Sequence, residues 1–186
     1  MKSNEKTNRA NGSPRIRLLD DANSQTTVLD RLAAGDARVS LTFAGQGIGY
    51  LDEIVNLHAE SARAATLIDA ASDALQEMVQ ESAFVWSGLY ARGFNLAQWI
   101  DNENARPDMR YLSSASISMP LIFTAQVARY VAIHERGLDK AFAAKTIGSV
   151  TGHSQGIMAA VLVAESPGGV VQTERFVEHV RFLMCQ

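Results

Sequence analysis

A single cysteine, Cys185, stands next to the last residue, so no disulfide can close within the chain. That fits a reducing compartment. No run approaches the ~18 consecutive apolar residues of a membrane span. The N-terminus from Met1 to Asn11 carries Lys2, Glu5, Lys6 and Arg9 and lacks the apolar centre of a signal peptide. The expected location is therefore the cytoplasm. Charge of one sign is also scarce: the net charge is −3, which gives no reason to expect nucleic acid or an anionic membrane as a partner. No internal repeat is present, and no metal site is expected.

What is present suits a globular domain. The 186 residues are 47% apolar and 20% charged, enough for one sizeable core. Residues 1–36 read as a polar N-terminal arm, with Ile16, Leu18 and Leu19 its few apolar residues before a short helix over Val28 to Ala34. Residues 37–186 form the body. The alternation of Arg38 to Phe43 predicts a strand. Helices are predicted from Leu51, from Ala62 to about Val79, and over Pro120 to Arg136, the last capped by Ser118 and ended by Gly137. Trp86, Tyr90, Phe94, Leu96 and Trp99 read as core packing, and Asn102 to Arg110 as a loop. A second strand spans Ile147 to Thr151. Ser166-Pro167-Gly168-Gly169 is a turn. Thr173 caps a final amphipathic helix carrying Phe176, Val177, Val180, Leu183 and Met184. The chain stops inside that pattern, so it is expected to be a piece of something longer.

The strand Ile147 to Thr151 runs into Gly152-His153-Ser154-Gln155-Gly156 and then an apolar helical stretch. Gly-x-Ser-x-Gly between a strand and a helix is a nucleophile elbow, with the Ser154 hydroxyl raised on a tight turn. An oxyanion hole needs two N–H donors. Gln155, the residue after the nucleophile, supplies one. The other is expected at Gln46, in the loop Gly45-Gln46-Gly47-Ile48-Gly49 after the first strand. By itself that loop is equally a structural turn. It lacks the Gly-x-Gly-x-x-Gly spacing and the lysine of a phosphate-binding loop. A serine also needs a base. None of His58, His134, His153 and His179 stands out. His153 reads as a packing or hydrogen-bonding residue of the elbow, and as a candidate to line the substrate pocket.

Phe43-Ala44-Gly45-Gln46-Gly47 and Gly152-His153-Ser154-Gln155-Gly156 resemble the two signatures of the acyl-CoA:acyl-carrier-protein transacylases, over most of the chain from about Val39. Gln155 after the serine is similar to the starter acetyltransferase domain of type I fatty acid synthases, bacterial and fungal. The resemblance implies an α/β fold, the α/β-hydrolase-like core of the malonyl/acetyl-CoA:ACP transacylases. The core would be incomplete, without the small ferredoxin-like subdomain. It implies acyl transfer from acetyl-CoA, through an ester on Ser154, to the phosphopantetheine thiol of an acyl carrier domain. No bound cofactor is needed. The base would be a histidine downstream of this chain, leaving the chain alone inactive. Malonyl-using relatives place an arginine about 25 residues past the serine, where it can grip the free carboxylate in two hydrogen bonds. Val180 or Arg181 falls near that slot: Val180 implies an acetyl pocket, Arg181 a malonyl one, and acetyl is the favoured reading. The alternatives are a malonyl or other acyl transacylase of a polyketide or fatty acid synthase, a serine esterase or thioesterase, and an inactive truncated piece.

Overall fold

The structure, a computed structural model, describes residues 26–45 and 49–185. Residues 1–25 of the polar arm expected over 1–36 therefore lie outside it, as does Gln46. The first described helix, α1 (Val28–Ala34), has a capping box between Thr27 and Asp30 and ends on Gly35 in a left-handed conformation. It does not hang free. Leu32 is buried, and Thr146 Oγ1 lies 3.0 Å from the Leu32 carbonyl.

Two strands, β1 (Val39–Phe43) and β2 (Ile147–Gly152), pair in parallel, with Leu41 opposite Val150 and Phe43 opposite Gly152. A parallel pair needs a crossover. Here the crossover is a helical layer: α2 (Tyr50–Glu60), α3 (Ala62–Met78), α4 (Ser82–Ser87), α5 (Leu96–Asp101), α6 (Met109–Leu112), α7 (Ala115–Ile133) and α8 (Asp139–Ala143). After β2 come α9 (Gly156–Glu165) and α10 (Thr173–Met184). The result is an α/β fold, mostly helical, with a small sheet.

The sheet has two unlike faces because side chains alternate along a strand. Leu41, Phe43 and Val150 join the core. Ser40, Thr42, Ser149 and Thr151 are exposed, and they pair across the strands: Ser149 Oγ donates to Ser40 Oγ at 2.8 Å, and the Thr42 and Thr151 hydroxyls are 3.2 Å apart.

Helix α7 is the centre of the core, packed by α2, α3, α9 and α10. By length and composition the helical stretch Ala115–Ala143 could cross a membrane, but 72% of its most apolar window is buried in the protein. It is a helix apolar all round because protein surrounds it. It starts earlier than Ser118 at Pro120's first turn. Ser114 is the cap residue and Ser118 is buried inside the helix. The reason is Ile117, fully buried one turn before Leu121, which draws an extra turn into the core. Gly137 breaks the helix as expected, at a φ of +123°, but the chain turns straight into α8. Arg110 and Met109 belong to α6 rather than to a loop. At α10 the cap is Gln172, and Thr173 is the first helical residue.

The aromatic group is core packing, except for one member. Phe94 stacks on Trp99 at 5.4 Å, and Tyr90 sits 6.3 Å from Phe94. Trp86 is 88% exposed, because α4 is one short turn that buries none of its residues. On the opposite side, Phe176 of α10 stacks on Phe123 of α7 at 5.5 Å, and both are fully buried. Truncation at Phe176 removes this stack and leaves a cavity. Phe176→Ala is expected to lose about 3–5 kcal/mol, read as a lowered denaturation midpoint at unchanged slope in urea.

Candidate active site at the strand–helix turn

The turn between β2 and α9 is held by contacts that leave little room. The His153 N–H donates to the Phe43 carbonyl at 2.9 Å, which extends the sheet ladder one residue past β2. The Gly156 N–H donates to the His153 carbonyl at 3.0 Å, and the Ile157 N–H to the Ser154 carbonyl at 3.1 Å. Two glycines permit this. A Cβ on Gly152 would fall into the Gly156 peptide, and one on Gly156 would lie 2.6 Å from the Ala44 carbonyl oxygen. No side chain fits at either place.

Ser154 sits at the apex with φ of +53°. This is the left-handed region, where a non-glycine residue costs about 1–2 kcal/mol. The side chain is exposed, and its hydroxyl makes no hydrogen bond among the described residues. Gln155 follows in right-handed geometry as the cap of α9. Its N–H makes no hydrogen bond among the described residues and stands at a helix N-terminus. That is a donor ready for negative charge. Its side-chain Oε1 is buried without a partner among them.

The loop after β1 meets the serine directly. A Cβ on Gly45 would lie 3.1 Å from Ser154 Cβ and 3.3 Å from His153 Nδ1. Gly45 therefore brings the loop's backbone against the elbow, and Gln46, the expected second donor, is the next residue. Its own placement lies outside the described residues.

Three of the four histidines are engaged elsewhere. His58 pairs with Asp69 at 2.9 Å. His134 is buried, with Nε2 3.2 Å from the Gly168 carbonyl. His179 stacks over Phe123 and lies 2.8 Å from the Arg175 carbonyl. His153 packs at Gly45, and no hydrogen bond joins it to Ser154 among the described residues. Val180 is fully buried in the α10 face. Arg181 turns to α3, where it pairs with Glu77 at 2.6 Å. Arg175 pairs with Glu178 and Glu165.

Beside the loop, β1, α2 and α7 enclose a cavity of about 590 Å³, lined in part by Phe43, Gly45, Ile122, Gln126 and Tyr130. Burial pushes the Tyr130 phenol far up, and its O–H donates to the Gly169 carbonyl at 2.7 Å. The Tyr50 phenol, also raised by burial, to about 12, donates to the Leu112 carbonyl. Neither serves as a base near neutrality. Gln126 was not among the residues singled out by the motifs. Its one sequence signal is being the lone amide in the apolar run Leu121 to Ala132.

The strained apex makes a comparison of two substitutions informative. Both Ser154→Gly and Ser154→Ala remove the hydroxyl, but only glycine relieves the positive φ. Ser154→Gly is expected to be the more stable of the two by about 1 kcal/mol, measured by chemical denaturation. Equal stabilities would count against a strained elbow.

Comparison with known proteins agrees with this geometry. A family described as "Starter unit:ACP transacylase in aflatoxin biosynthesis" matches residues 41–184. The fatty acid synthase beta subunit TOXC of Cochliobolus carbonum is 34% identical over 138 residues, 71% of this chain and 6% of that protein. The fatty acid synthase subunit beta of Saccharomyces cerevisiae is 29% identical over 150 residues, 78% of this chain and 7% of that one. The beta subunit aflB of Emericella nidulans is 35% identical over 133 residues, 69% and 6% respectively. The chain thus spans 6 or 7% of the length of these relatives. Both the strand–loop junction at Phe43 and the elbow at Ser154 lie inside the matched residues, and the chain belongs to the starter unit:ACP transacylase family.

Proposed function

We propose that this chain is the serine-bearing part of a cytoplasmic acyltransferase that loads a starter acyl group, acetyl, from CoA onto the phosphopantetheine thiol of an acyl carrier domain in a fatty acid synthase. The observation that carries this is Ser154 at positive φ between a strand and a helix N-terminus, with the Gln155 N–H unbonded among the described residues and Gly45 against it.

The chemistry is a two-step exchange. Ser154 Oγ loses its proton to a base and attacks the thioester carbonyl. The oxyanion is held by the N–H groups of Gln155 and Gln46. The C–S bond breaks, and the CoA sulfur leaves with the proton. The carrier's thiol then gives its proton to the base and attacks the Ser154 ester, forming a second oxyanion held by the same donors; the C–O bond breaks, and Ser154 takes up the thiol's proton. An oxyanion donor contributes about 2.7–4 kcal/mol to such a transition state. The base is supplied by polypeptide outside this chain. The fold that completes the site is of the α/β-hydrolase-like transacylase kind.

Two placements support a neutral starter unit. Val180 presents no charge, and Arg181 is engaged by Glu77 on α3. Neither residue offers a malonyl carboxylate a free cation.

The test is acyl loading in the intact synthase, with labelled acetyl-CoA and malonyl-CoA and mass mapping of the modified residue. Acetyl label is expected on Ser154, absent in Ser154→Ala, with malonyl label at least about tenfold lower. Equal malonyl labelling would return the malonyl reading. Label lost to water without any carrier would favour an esterase, and no label at Ser154 would sink the assignment.

A further inference from the structure

The loop after β1 meets Ser154 through Gly45 and needs an anchor, and the sheet does not provide one. The last ladder bond from β1 is spent on Phe43, whose carbonyl takes the His153 N–H. Ala44 follows, with its carbonyl pressed toward Gly156. This carbonyl is met by a side chain from the middle of α7: Gln126 Nε2 donates to it. Gln126 is thus the partner of the last carbonyl before Gly45, and Gly45 is the residue that touches Ser154.

Two features set Gln126 apart from a surface glutamine. Its neighbours Ala125 and Val127 are core residues, so the side chain leaves the most buried helix of the protein. Its other amide atom, Oε1, is buried and has no partner among the described residues. A buried unpartnered acceptor costs about 1–3 kcal/mol. The side chain bears that cost while its donor end holds Ala44. Among the described residues, the two buried side-chain atoms without a partner belong to Gln126 and Gln155, which flank the loop and the elbow.

We propose that Gln126 is a positioning residue for the oxyanion loop. Its amide fixes the Ala44 carbonyl and so sets how Gly45, and the backbone that leads on from it, lies against Ser154. It touches neither substrate nor the reacting atoms. A rigid helix is a better reference than a loop for this, because a shift of about 1 Å in a catalytic donor costs roughly 100-fold in rate. This rests on the transacylase reading above.

The test uses the intact synthase with Gln126→Glu and Gln126→Met, both close in size to glutamine. Glutamate loses the donor and faces the Ala44 carbonyl with a carboxylate. Methionine loses the donor without adding charge. The readouts are the single-turnover rate of Ser154 acylation, the KM for acetyl-CoA, and the thermal midpoint of the domain. Acylation, measured well below the thermal midpoint of each variant, is expected to fall about 10- to 100-fold in both, with KM unchanged. A purely structural role would shift the thermal midpoint while leaving the acylation rate of the folded protein at the wild-type value, and a binding role would move KM. Either result overturns the proposal. If the glutamate variant does not fold, the methionine variant decides, and its own failure to fold also overturns it. Wild-type protein unlabelled at Ser154 would sink the transacylase reading itself. Wild-type labelling with unaffected variants sinks the positioning role alone.

Discussion

The contact between the N-terminus of α9 and the end of β1 governs the site. Gly156 lies so close to the Phe43 and Ala44 carbonyls that no Cβ fits, and the His153 N–H bonds to Phe43 across the same gap. With strand and helix this close, the chain between them has only three residues in which to reverse. The reversal puts Ser154 at φ of +53°. Such a conformation costs about 1–3 kcal/mol and persists only when its surroundings over-determine it. Here they do: a ladder bond on one side, the first turn of α9 on the other, and Gly45 across the top.

The same contact ties the site to the core. α9 is an apolar helix, with Ala159, Ala160, Leu162 and Val163 buried, and it cannot be moved without disturbing α7. α7 in turn presents Phe123 to α10, Tyr130 to the turn at Gly169 and Gln126 to Ala44. One helix therefore supports the elbow's helix from behind and the loop after β1 from the side. Holding a reactive group on packed elements rather than on a free loop is how its geometry is kept to a fraction of an ångström.

Most of this was legible in the sequence because it depends on local pattern. The alternation in Val39 to Phe43, the glycines at 152 and 156, and the helix stop at Gly137 each carry their own physical signal. The strand–loop and elbow motifs were enough to suggest the family. What was not legible depended on contacts between distant residues. The early start of α7 follows from a pocket for Ile117, which no local rule reveals. Trp86 reads as core by residue type, yet the short helix that carries it turns Phe84 toward the core and leaves Trp86 in solvent. Gln126 is silent in any motif, because its meaning comes from the Ala44 carbonyl 82 residues away in sequence. Ion pairing took Arg181 to Glu77, and charge alone could not say which way that side chain turns.

The division of labour at Ser154 has a chemical consequence. The described residues provide a preorganised donor in Gln155 but no base. An oxyanion donor acts on both halves of an acyl exchange, whichever nucleophile attacks. A general base contributes roughly 10²–10⁴-fold, and it is needed to deprotonate serine, carrier thiol or water. A thiol needs that help least, since it ionises near pH 8.5 and water hardly at all. A site strong in oxyanion stabilisation and sparing in base strength therefore discriminates in favour of thiols over water. For a transacylase this is the useful direction, because an acyl ester on a nucleophile is then kept for a thiol acceptor rather than lost to solvent. The discrimination comes from where the proton acceptor sits, and among the described residues no histidine is hydrogen-bonded to Ser154.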